Sequence, residues 1–326
     1  MFKLVEKFSG AFGVSGNEEE IREEIRQEIK DSVDEIKVDV LGNLIAVKRG
    51  KGKKIMVAAH MDEVGIMATY ISDDGFLRFS GIGDLSLFEI LGQRVRFKNG
   101  IEGIIYHEGK LENLKELELS KMYIDIGATD AEKACKLVKI GDAACFVGEA
   151  KKQGNMVFSK ALENRIGCAV VTEVIKSYSH GENEIHFVFT VQGKLGFRGA
   201  GPAAYSTRPD IAITVGTAMT KDTPKCNVSG IKCGGGPAVK VKDGSIISHP
   251  DVRRLLEDSA KEMGVLYQLE VQESKKCDSG AIHITAGGIP SGAISVPCRY
   301  LNNPAGVANL LDMEGAVKIL SRALLV

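Results

Sequence analysis

The sequence lacks the features that would favour a membrane or a nucleic acid as a partner. No segment contains the roughly 18 consecutive apolar residues that a membrane-spanning helix needs. Its 42 lysines and arginines nearly balance 43 aspartates and glutamates, so the formal net charge is -1. Because there is no basic surplus, neither nucleic acid nor an anionic membrane surface is favoured. We therefore expect no nucleic-acid partner and no membrane partner.

The sequence also shows no pattern typical of a signal peptide or of paired cysteines. The first ten residues, MFKLVEKFSG, contain no apolar core of signal-peptide length, so we expect a cytoplasmic protein. The seven cysteines are an odd number, are scattered and show no C-x-x-C spacing. This pattern predicts reduced thiols that pack as small apolar side chains rather than disulfides or a metal site.

The apolar residues follow helix-like and strand-like patterns in turn. Residues 17–34 favour an amphipathic helix because their isoleucines recur every four positions. Residues 35–48 predict a hairpin. Residues 54–59 form a short apolar run, typical of a buried strand in a mixed or parallel sheet, and this run ends at His60. An α/β protein is the simplest interpretation.

A change in the pattern of apolar and turn residues near residue 70 predicts a second domain. Between about residues 70 and 158, short alternating runs are separated by Gly and Asp or Asn, a pattern typical of a small β-rich domain. The alternation of helix-like and strand-like segments then resumes. We expect a three-layer α/β/α domain of residues 1–70 plus 159–326, interrupted by an inserted β-barrel-like domain of residues 71–158.

Residues that follow apolar runs are the first place to look for a ligand site, because ligands bind beyond the carboxyl ends of strands in open α/β sheets. The sequence has His60-Met61-Asp62 at one such point. By itself His60-x-Asp62 is a weak metal signal, since an imidazole can ligate and a nearby carboxylate can orient it. A structural histidine at a strand end is an equally good interpretation.

Five segments, in this order and spacing, resemble the signature blocks of the tetrahedral aminopeptidases: AAHMDEVG, KALENRIGCAV, TVQGKLGFRGA, PDIAITVGTAMTKDTP and SGAISVPCRYLNNP. That family includes glutamyl and deblocking aminopeptidases, and some members have been labelled endoglucanases. The similarity covers essentially the whole chain. It implies a zinc-aminopeptidase-like α/β fold, peptides as partners, self-association as a dimer or larger homo-oligomer, and two zinc or cobalt ions that activate water.

Carried over position by position, the resemblance implies a depleted metal site. His60 matches a first-metal histidine, Asp62 matches the aspartate that supports it, and Glu163 stands at the bridging aspartate. The remaining functional positions depart from the family pattern. The general base falls on Gly193, and three metal-ligand positions fall on Lys194, Gly216 and Asn302. The neighbouring pocket positions are Arg198, Arg299 and Tyr300.

These departures predict weak metal binding. Zinc sites usually use at least three protein ligands, whereas only His60 and Glu163 remain, with Asp62 in support. An ammonium group at Lys194 would pair with Glu163 or Asp62 and repel a divalent ion. We therefore expect no cofactor, or at most one weakly held ion. A glycine at position 193 cannot remove a proton, and losing a positioned general base costs about 10²–10⁴ in rate.

Three functions stay open on the sequence. The favoured prediction is a catalytically silent homologue that acts as a structural, regulatory or peptide-binding protein. The second is a hydrolase with altered, metal-free or single-metal chemistry, and the third is a conventional metal-dependent aminopeptidase. Further candidates, Ser279, His283 and His249, form no recognisable triad or second metal set, so we predict structural roles for them.

Overall fold

The computed structural model describes residues 1–110, 113–178, 181–226, 230–301 and 303–325. Within these residues the strands are β1 Glu35–Val38, β2 Leu44–Lys48, β3 Lys54–His60, β4 Gly65–Ile71, β5 Leu77–Ile82, β6 Arg94–Phe97, β7 Glu102–His107, β8 Met122–Asp125, β9 Ala143–Phe146, β10 Lys151–Gln153, β11 Met156–Ser159, β12 Glu184–Thr190, β13 Ile211–Met219, β14 Ala238–Lys242, β15 Gln268–Val271, β16 Ser291–Arg299 and β17 Gly306–Asn309. The α-helices are α1 Phe2–Gly10, α2 Glu19–Ile29, α3 Leu87–Ile90, α4 Ala131–Leu137, α5 Leu162–Ser177, α6 Ala200–Thr207, α7 Pro250–Glu262, α8 Asp278–His283 and α9 Leu310–Ala323.

An eleven-stranded mixed sheet forms the centre of the molecule, in the order β1-β2-β12-β3-β13-β16-β17-β11-β10, with β14 joining β16 to β15. Strands β12, β3, β13 and β16 run parallel to one another. Along β3, Ile55 and Val57 pack on one face in the cluster that contains residues of α5 and α9. Met56 and Ala58 pack on the other face, with residues of α6 and α8. Helices therefore cover both faces of the sheet, which confirms the predicted three-layer fold.

Six further strands close into a barrel in the order β4-β5-β8-β7-β6-β9. The barrel has its own apolar core, which includes Ile66, Phe97, Ile105 and Phe146. A β-barrel between two parts of an α/β domain is therefore confirmed. The chain enters the barrel at β4, and it has returned to the edge of the main sheet by β10. The exact domain bounds at 70/71 and 158/159 stay a prediction.

The predicted elements before β3 are present with different limits. Strands β1 and β2 pair as an antiparallel hairpin. The predicted helix of residues 17–34 is shorter, because α2 is followed by a single 3-10 turn at Lys30–Ser32 and then by extended backbone at Val33. Ile29 is the last buried residue of α2, and none of the residues of the 3-10 turn that follows it is buried. No helix among the described residues is long and apolar enough to cross a membrane.

A buried ion network joins the start of the barrel to the main domain. The carboxylate of Glu63, next to β4, lies 2.7 and 2.9 Å from Nζ of Lys160 and 3.2 Å from Nη2 of Arg165. All three side chains are almost completely buried. Arg165 also donates to backbone carbonyls of Phe8 and Ala11. Charges buried this deeply are tolerated only when paired, so this network fixes α5 against the N-terminal helix.

Candidate functional site

The parallel strands bring the predicted site residues to one edge of the sheet. His60 ends β3 and pairs in register with Thr190, the last residue of β12. His60, Glu163 and Gly216 line one cavity. Glu163 also lines the neighbouring cleft of about 520 Å³, together with Lys194. The structure thus groups these positions, while Asn302 lies outside the described residues.

Asp62 is the most heavily hydrogen-bonded carboxylate of the site. Oδ1 accepts the backbone N–H of Gly193 at 2.7 Å and lies 3.2 Å from Nδ1 of His60. Oδ2 accepts the backbone N–H of Lys194 at 2.8 Å and the hydroxyl of Ser15 at 2.5 Å. Burial alone would raise the pKa of Asp62, but the bonds from His60 and these donors hold it well below its usual range. Asp62 is therefore a fixed negative charge beneath the site.

His60 is held between Asp62 and an aromatic side chain. Its ring is almost fully buried and meets Phe197 edge to face, with the ring centroids 6.2 Å apart. Burial is the largest single influence and lowers the pKa of His60, but the hydrogen bond to Asp62 and the negative charges of Asp62 and Asp278 together outweigh it, so the pKa is raised overall. Because Nδ1 is bonded to Asp62, the Nε2 nitrogen is the one that can exchange a proton with a ligand. An Asp-oriented imidazole at a cavity wall is suited to general-base work.

One carboxylate oxygen of Glu163 forms ion pairs with two lysine ammonium groups. Its Oε2 lies 3.2 Å from Nζ of Lys194 and 3.4 Å from Nζ of Lys275. Burial by itself would raise the pKa of Glu163, but the two lysines lower it to about 2. The ion pair with Lys194 is one of the two pairings that the sequence analysis predicted for this lysine, the other being with Asp62. The ion pair with Lys275 was not predicted.

The loop that carries Lys194 is fixed by two carboxylates from different elements. Gln192 has a left-handed backbone (φ 54°), and its N–H donates to Oε1 of Glu18 at 2.9 Å. The next two N–H groups, of Gly193 and Lys194, donate to Asp62. Burial raises the pKa of Glu18 to about 7. The backbone N–H groups that donate to its carboxylate lower the pKa, but they offset only part of that rise. Three successive backbone N–H groups thus fix the position of the Lys194 backbone, from which its side chain extends.

The two glycines of the site differ in the space around them. A Cβ at position 193 would lie 2.5 Å from Cγ of His60, so only glycine allows the ring its present place. At position 216 a Cβ would meet no atom within 4 Å. Gly193 is consequently required by the packing of His60, whereas Gly216 is not required by packing. A glutamate at position 193, as in the family pattern, would need another position for the imidazole.

The side chains around this cleft do not fit the two-metal centre that the resemblance implies. In the described part of the chain, no group of three or more His, Cys, Asp or Glu side chains is placed to hold a metal ion. His60 and Glu163 are the remaining candidate ligands, and Glu163 already holds two ammonium groups. A divalent ion at that carboxylate would meet both positive charges at close range.

The other predicted residues occupy varied positions. Arg299 forms a two-pronged ion pair with Asp222, with N–O distances of 2.9 and 2.6 Å. Arg198 donates to the carbonyl of Leu195. Tyr300 lines a small cavity beside Glu163.

The three serine and histidine candidates have placements suited to structural roles. Ser279 is buried and donates to the carbonyl of Gly292. His249 caps α7 by accepting the N–H of Asp251. His283 is the last residue of α8.

Three residues of the site were missed by the sequence analysis: Ser15, Glu18 and Lys275. Ser15 and Glu18 lie in the segment VSGNEEE, which belongs to the matched region but carries no metal-like spacing. Lys275 is 112 positions from Glu163, so no local periodicity connects the two. The basic pair at Lys275 and Lys276, directly before CDSGAIH, was the only available signal.

A match to a family profile establishes the family that the five segments suggested. The profile of the M42 glutamyl aminopeptidase family matches residues 42–319. The chain belongs to this family. It is 62% identical over 324 residues to a protein of Acetivibrio thermocellus named "Putative aminopeptidase", covering 99% of this chain and 98% of that protein.

Solved structures support the same relationship. The aminopeptidase APDkam598 of the archaeon Desulfurococcus kamchatkensis superimposes with a TM-score of 0.95 at 32% identity, covering 99% of this chain and 94% of that one. The Pyrococcus horikoshii TET1 peptidase gives a TM-score of 0.88 at 32% identity, covering 99% of this chain and 98% of that one. The fold of this M42 family member is therefore that of known aminopeptidases over nearly its full length.

The favoured functional prediction, a catalytically silent homologue, is wrong. The relative at 62% identity is named a putative aminopeptidase, and the two solved structures described above are an aminopeptidase and a peptidase. These relationships support the alternative, a peptide hydrolase. The prediction failed because it equated departures from a metal-ligand pattern with loss of function.

Proposed function

We propose that this chain is a peptide hydrolase of the aminopeptidase type, in which the Asp62–His60 pair activates a water molecule. The proposal depends above all on one observation: a buried Asp62 orients His60 at the wall of the cavity through a 3.2 Å contact. Membership of the M42 family supports the reaction class. The described residues do not supply a metal-ligand set, so this is the altered, metal-free form of the alternative.

The residues present account for each proton in such a hydrolysis. His60 takes a proton from water, and the resulting hydroxide adds to the carbonyl carbon of the first peptide bond. The C–N bond then breaks, and the leaving amine takes the proton back from His60. Water is consumed, and a free amino acid and a shortened peptide are released. Asp62 stabilises the imidazolium that forms between the two transfers, as a buried carboxylate does in hydrolase triads.

A peptide digestion tests this function. The purified protein is incubated with unblocked oligopeptides that differ in their first residue, and released amino acids are identified by mass spectrometry. We expect stepwise release from the amino end that continues in the presence of a chelator and is lost in His60→Asn. Absence of release from every peptide, with and without added zinc or cobalt, contradicts the proposed function. If the chelator abolishes the release of amino acids, the metal-free mechanism is contradicted and a two-metal mechanism is supported instead.

We also propose that the protein works in the cytoplasm as a homo-oligomer. The P. horikoshii TET1 peptidase, which shares 32% identity with this chain, can assemble into a tetrahedron or a large octahedral shell. Sedimentation velocity of the purified protein measures the assembly directly. A single species of about 35 kDa, the mass of one chain, would contradict it.

A further inference from the structure

The proposed hydrolysis requires a hydrogen-bond donor or a cation near the carbonyl oxygen of the substrate. When hydroxide adds to the carbonyl carbon, one electron pair of the C=O double bond moves onto the oxygen, and it returns when the C–N bond breaks. Hydrolases stabilise this oxyanion with donors that are fixed before the reaction, and this contribution is usually the largest in catalysis. His60 and Asp62 handle the proton, so the oxyanion needs a different residue.

Two neighbouring openings limit where that residue can lie. The cavity lined by His60 has a volume of about 30 Å³, which accommodates a water molecule. The adjoining cleft of about 520 Å³ is large enough for the end of a peptide. A water activated by His60 meets a carbonyl group that enters from the cleft, so the reacting atoms lie where the two openings meet. The group that stabilises the oxyanion must therefore line both.

Four described residues line both the His60 cavity and the cleft: Glu163, Phe197, Lys275 and Lys276. An ionised carboxylate only accepts hydrogen bonds, and a phenyl ring has no N–H or O–H group to donate. Lys276 is exposed, so water screens its charge. Lys194 lines the cleft but not the His60 cavity. Among the described side chains, this leaves Lys275 as the partly buried cation at the junction.

Lys275 is held at this junction by its side chain and by its backbone. Its Nζ donates to Oε2 of Glu163 at 3.4 Å, and its backbone carbonyl accepts the N–H of Gly244 at 2.6 Å. The side chain is 17% exposed, so water screens its charge only in part. An ammonium group has three N–H donors, and the bond to Glu163 occupies one of them. The others are available to a ligand.

We infer that Lys275 is a catalytic residue whose ammonium group stabilises the oxyanion of the hydrolysis. The inference rests on the proposed function. One N–H of Nζ donates to the carbonyl oxygen as the negative charge forms there, and Lys275 keeps all of its protons throughout. Glu163 is then a positioning residue, because its carboxylate holds the ammonium group where the cavity meets the cleft.

Peptide hydrolysis by Lys275→Met tests the inference. Methionine keeps an unbranched side chain but removes the charge and the donors. We expect kcat to fall by about 10²–10³, the usual effect of losing one oxyanion donor. Because the oxyanion exists only in the transition state, KM should change by less than about threefold. Lys275→Arg retains a cation and should recover at least tenfold of the loss in kcat, roughly one charged hydrogen bond.

Lys7→Met is the matched control. It also removes an ammonium group that is paired with glutamate, because Lys7 of α1 forms ion pairs with Glu24 and Glu28 of α2 at 2.8 and 2.9 Å. Lys7 lines neither the cavity nor the cleft. Its variant should hydrolyse peptides as the unmodified protein does.

Calorimetric titration with the boronic acid analogue of leucine gives a readout that does not depend on turnover. The boron atom takes up hydroxide and becomes a tetrahedral anion, which resembles the intermediate in shape and charge. Isoamylamine, which lacks the boron, is the ligand control. We expect Lys275→Met to weaken binding of the boronic acid by roughly tenfold or more, the usual effect of losing one hydrogen bond to a charged group. Any binding of isoamylamine should stay unchanged.

Three results would overturn the role of Lys275 and leave the proposed function standing: unchanged kcat in Lys275→Met, no recovery in Lys275→Arg, or equal affinity of both variants and the unmodified protein for the boronic acid. Absence of hydrolysis by the unmodified protein contradicts the proposed function itself. Thermal unfolding of each variant shows that it is folded. If Lys275→Met is unstable, Lys275→Gln replaces it, since glutamine still donates to Glu163 but carries no charge, and its kcat should fall at least tenfold.

Discussion

Oδ1 of Asp62 lies 3.2 Å from Nδ1 of His60, and both side chains are buried at the end of β3. The same oxygen accepts the N–H of Gly193, so the carboxylate fixes both the imidazole and the backbone beside it. A charge in this position sets the orientation and the proton affinity of His60. The relation between these two residues links the fold to the proposed chemistry.

Asp62→Asn should abolish most of the hydrolysis. The amide keeps the size of the carboxylate but removes the charge that stabilises a protonated His60, so we expect a loss of about 10²–10⁴ in kcat. Peptide release followed by mass spectrometry measures the change. Ser15→Ala is the matched control, because it removes only one neutral donor to the same carboxylate. Its kcat should stay within about tenfold. Full activity in Asp62→Asn would contradict the role of the pair.

Gly193→Ala should displace His60, whereas Gly216→Ala should be tolerated. A Cβ at position 193 would lie 2.5 Å from the imidazole, and the ring would have to leave Asp62 to relieve that contact. We expect at least a tenfold fall in kcat and a lower melting temperature for Gly193→Ala. Gly216 has open space around it, so its variant controls for the loss of glycine alone. Equal effects of the two substitutions would show that the close approach to His60 is unimportant.

Glu18→Gln should change how stability depends on pH. Burial raises the pKa of Glu18 from 4.5 to about 7 in the folded chain, so the folded form binds this proton more tightly than the unfolded form does. The corresponding stability is complete below about pH 4.5 and is lost as the pH rises through about 7. Glutamine never ionises. The variant should therefore gain about 3 kcal/mol relative to the unmodified protein between those pH values.

Urea unfolding at a series of pH values measures that difference. Glu23→Gln, on the exposed side of the same helix, is the control. Stability curves of Glu18→Gln and the unmodified protein that stay parallel from about pH 4 to 8 would show that Glu18 is not the group responsible.

Glu63→Gln should destabilise the whole chain. It leaves the buried charges of Lys160 and Arg165 without their shared carboxylate, and breaking a buried pair in this way costs about 3–5 kcal/mol. The free energy of unfolding in urea gives the value. Glu132→Gln, which breaks the exposed pair with Lys136, is the matched control and should produce no measurable change. A cost for Glu63→Gln as small as that of its control would refute the network's structural importance.

The sequence predicted the parts of the fold that depend on neighbouring residues. The apolar run before His60 predicted β3, since burial on both faces needs apolar residues at successive positions. Alternation between turn residues predicted the β-rich insert. The barrel-like form of this insert was also predicted, but the order in which its strand edges meet and close the barrel came only from the structure. The sequence analysis overestimated the length of α2. Charged residues extend the helix-like composition beyond Ile29, which is the last buried isoleucine.

The candidate site, like the fold, was predicted only in part from the sequence. Position by position, the sequence assigned His60, Asp62, Glu163 and Lys194 to one site, and the structure brings them together. The functional conclusion drawn from the lost ligand positions was wrong, because a residue type alone does not show what charge its neighbours supply. Lys275 is the clearest case, since nothing in its own segment indicates contact with Glu163.

By itself the sequence determined the family, the layered α/β architecture and the residues at the ends of the parallel strands. Those properties depend on composition, on local periodicity and on short motifs. Only the tertiary structure decided that Glu163 holds two lysines, that three backbone donors of one loop are shared by Glu18 and Asp62, and that Gly193 makes room for His60. Electrostatic and steric contacts of this kind act over a few ångströms in space, between residues that lie far apart along the chain.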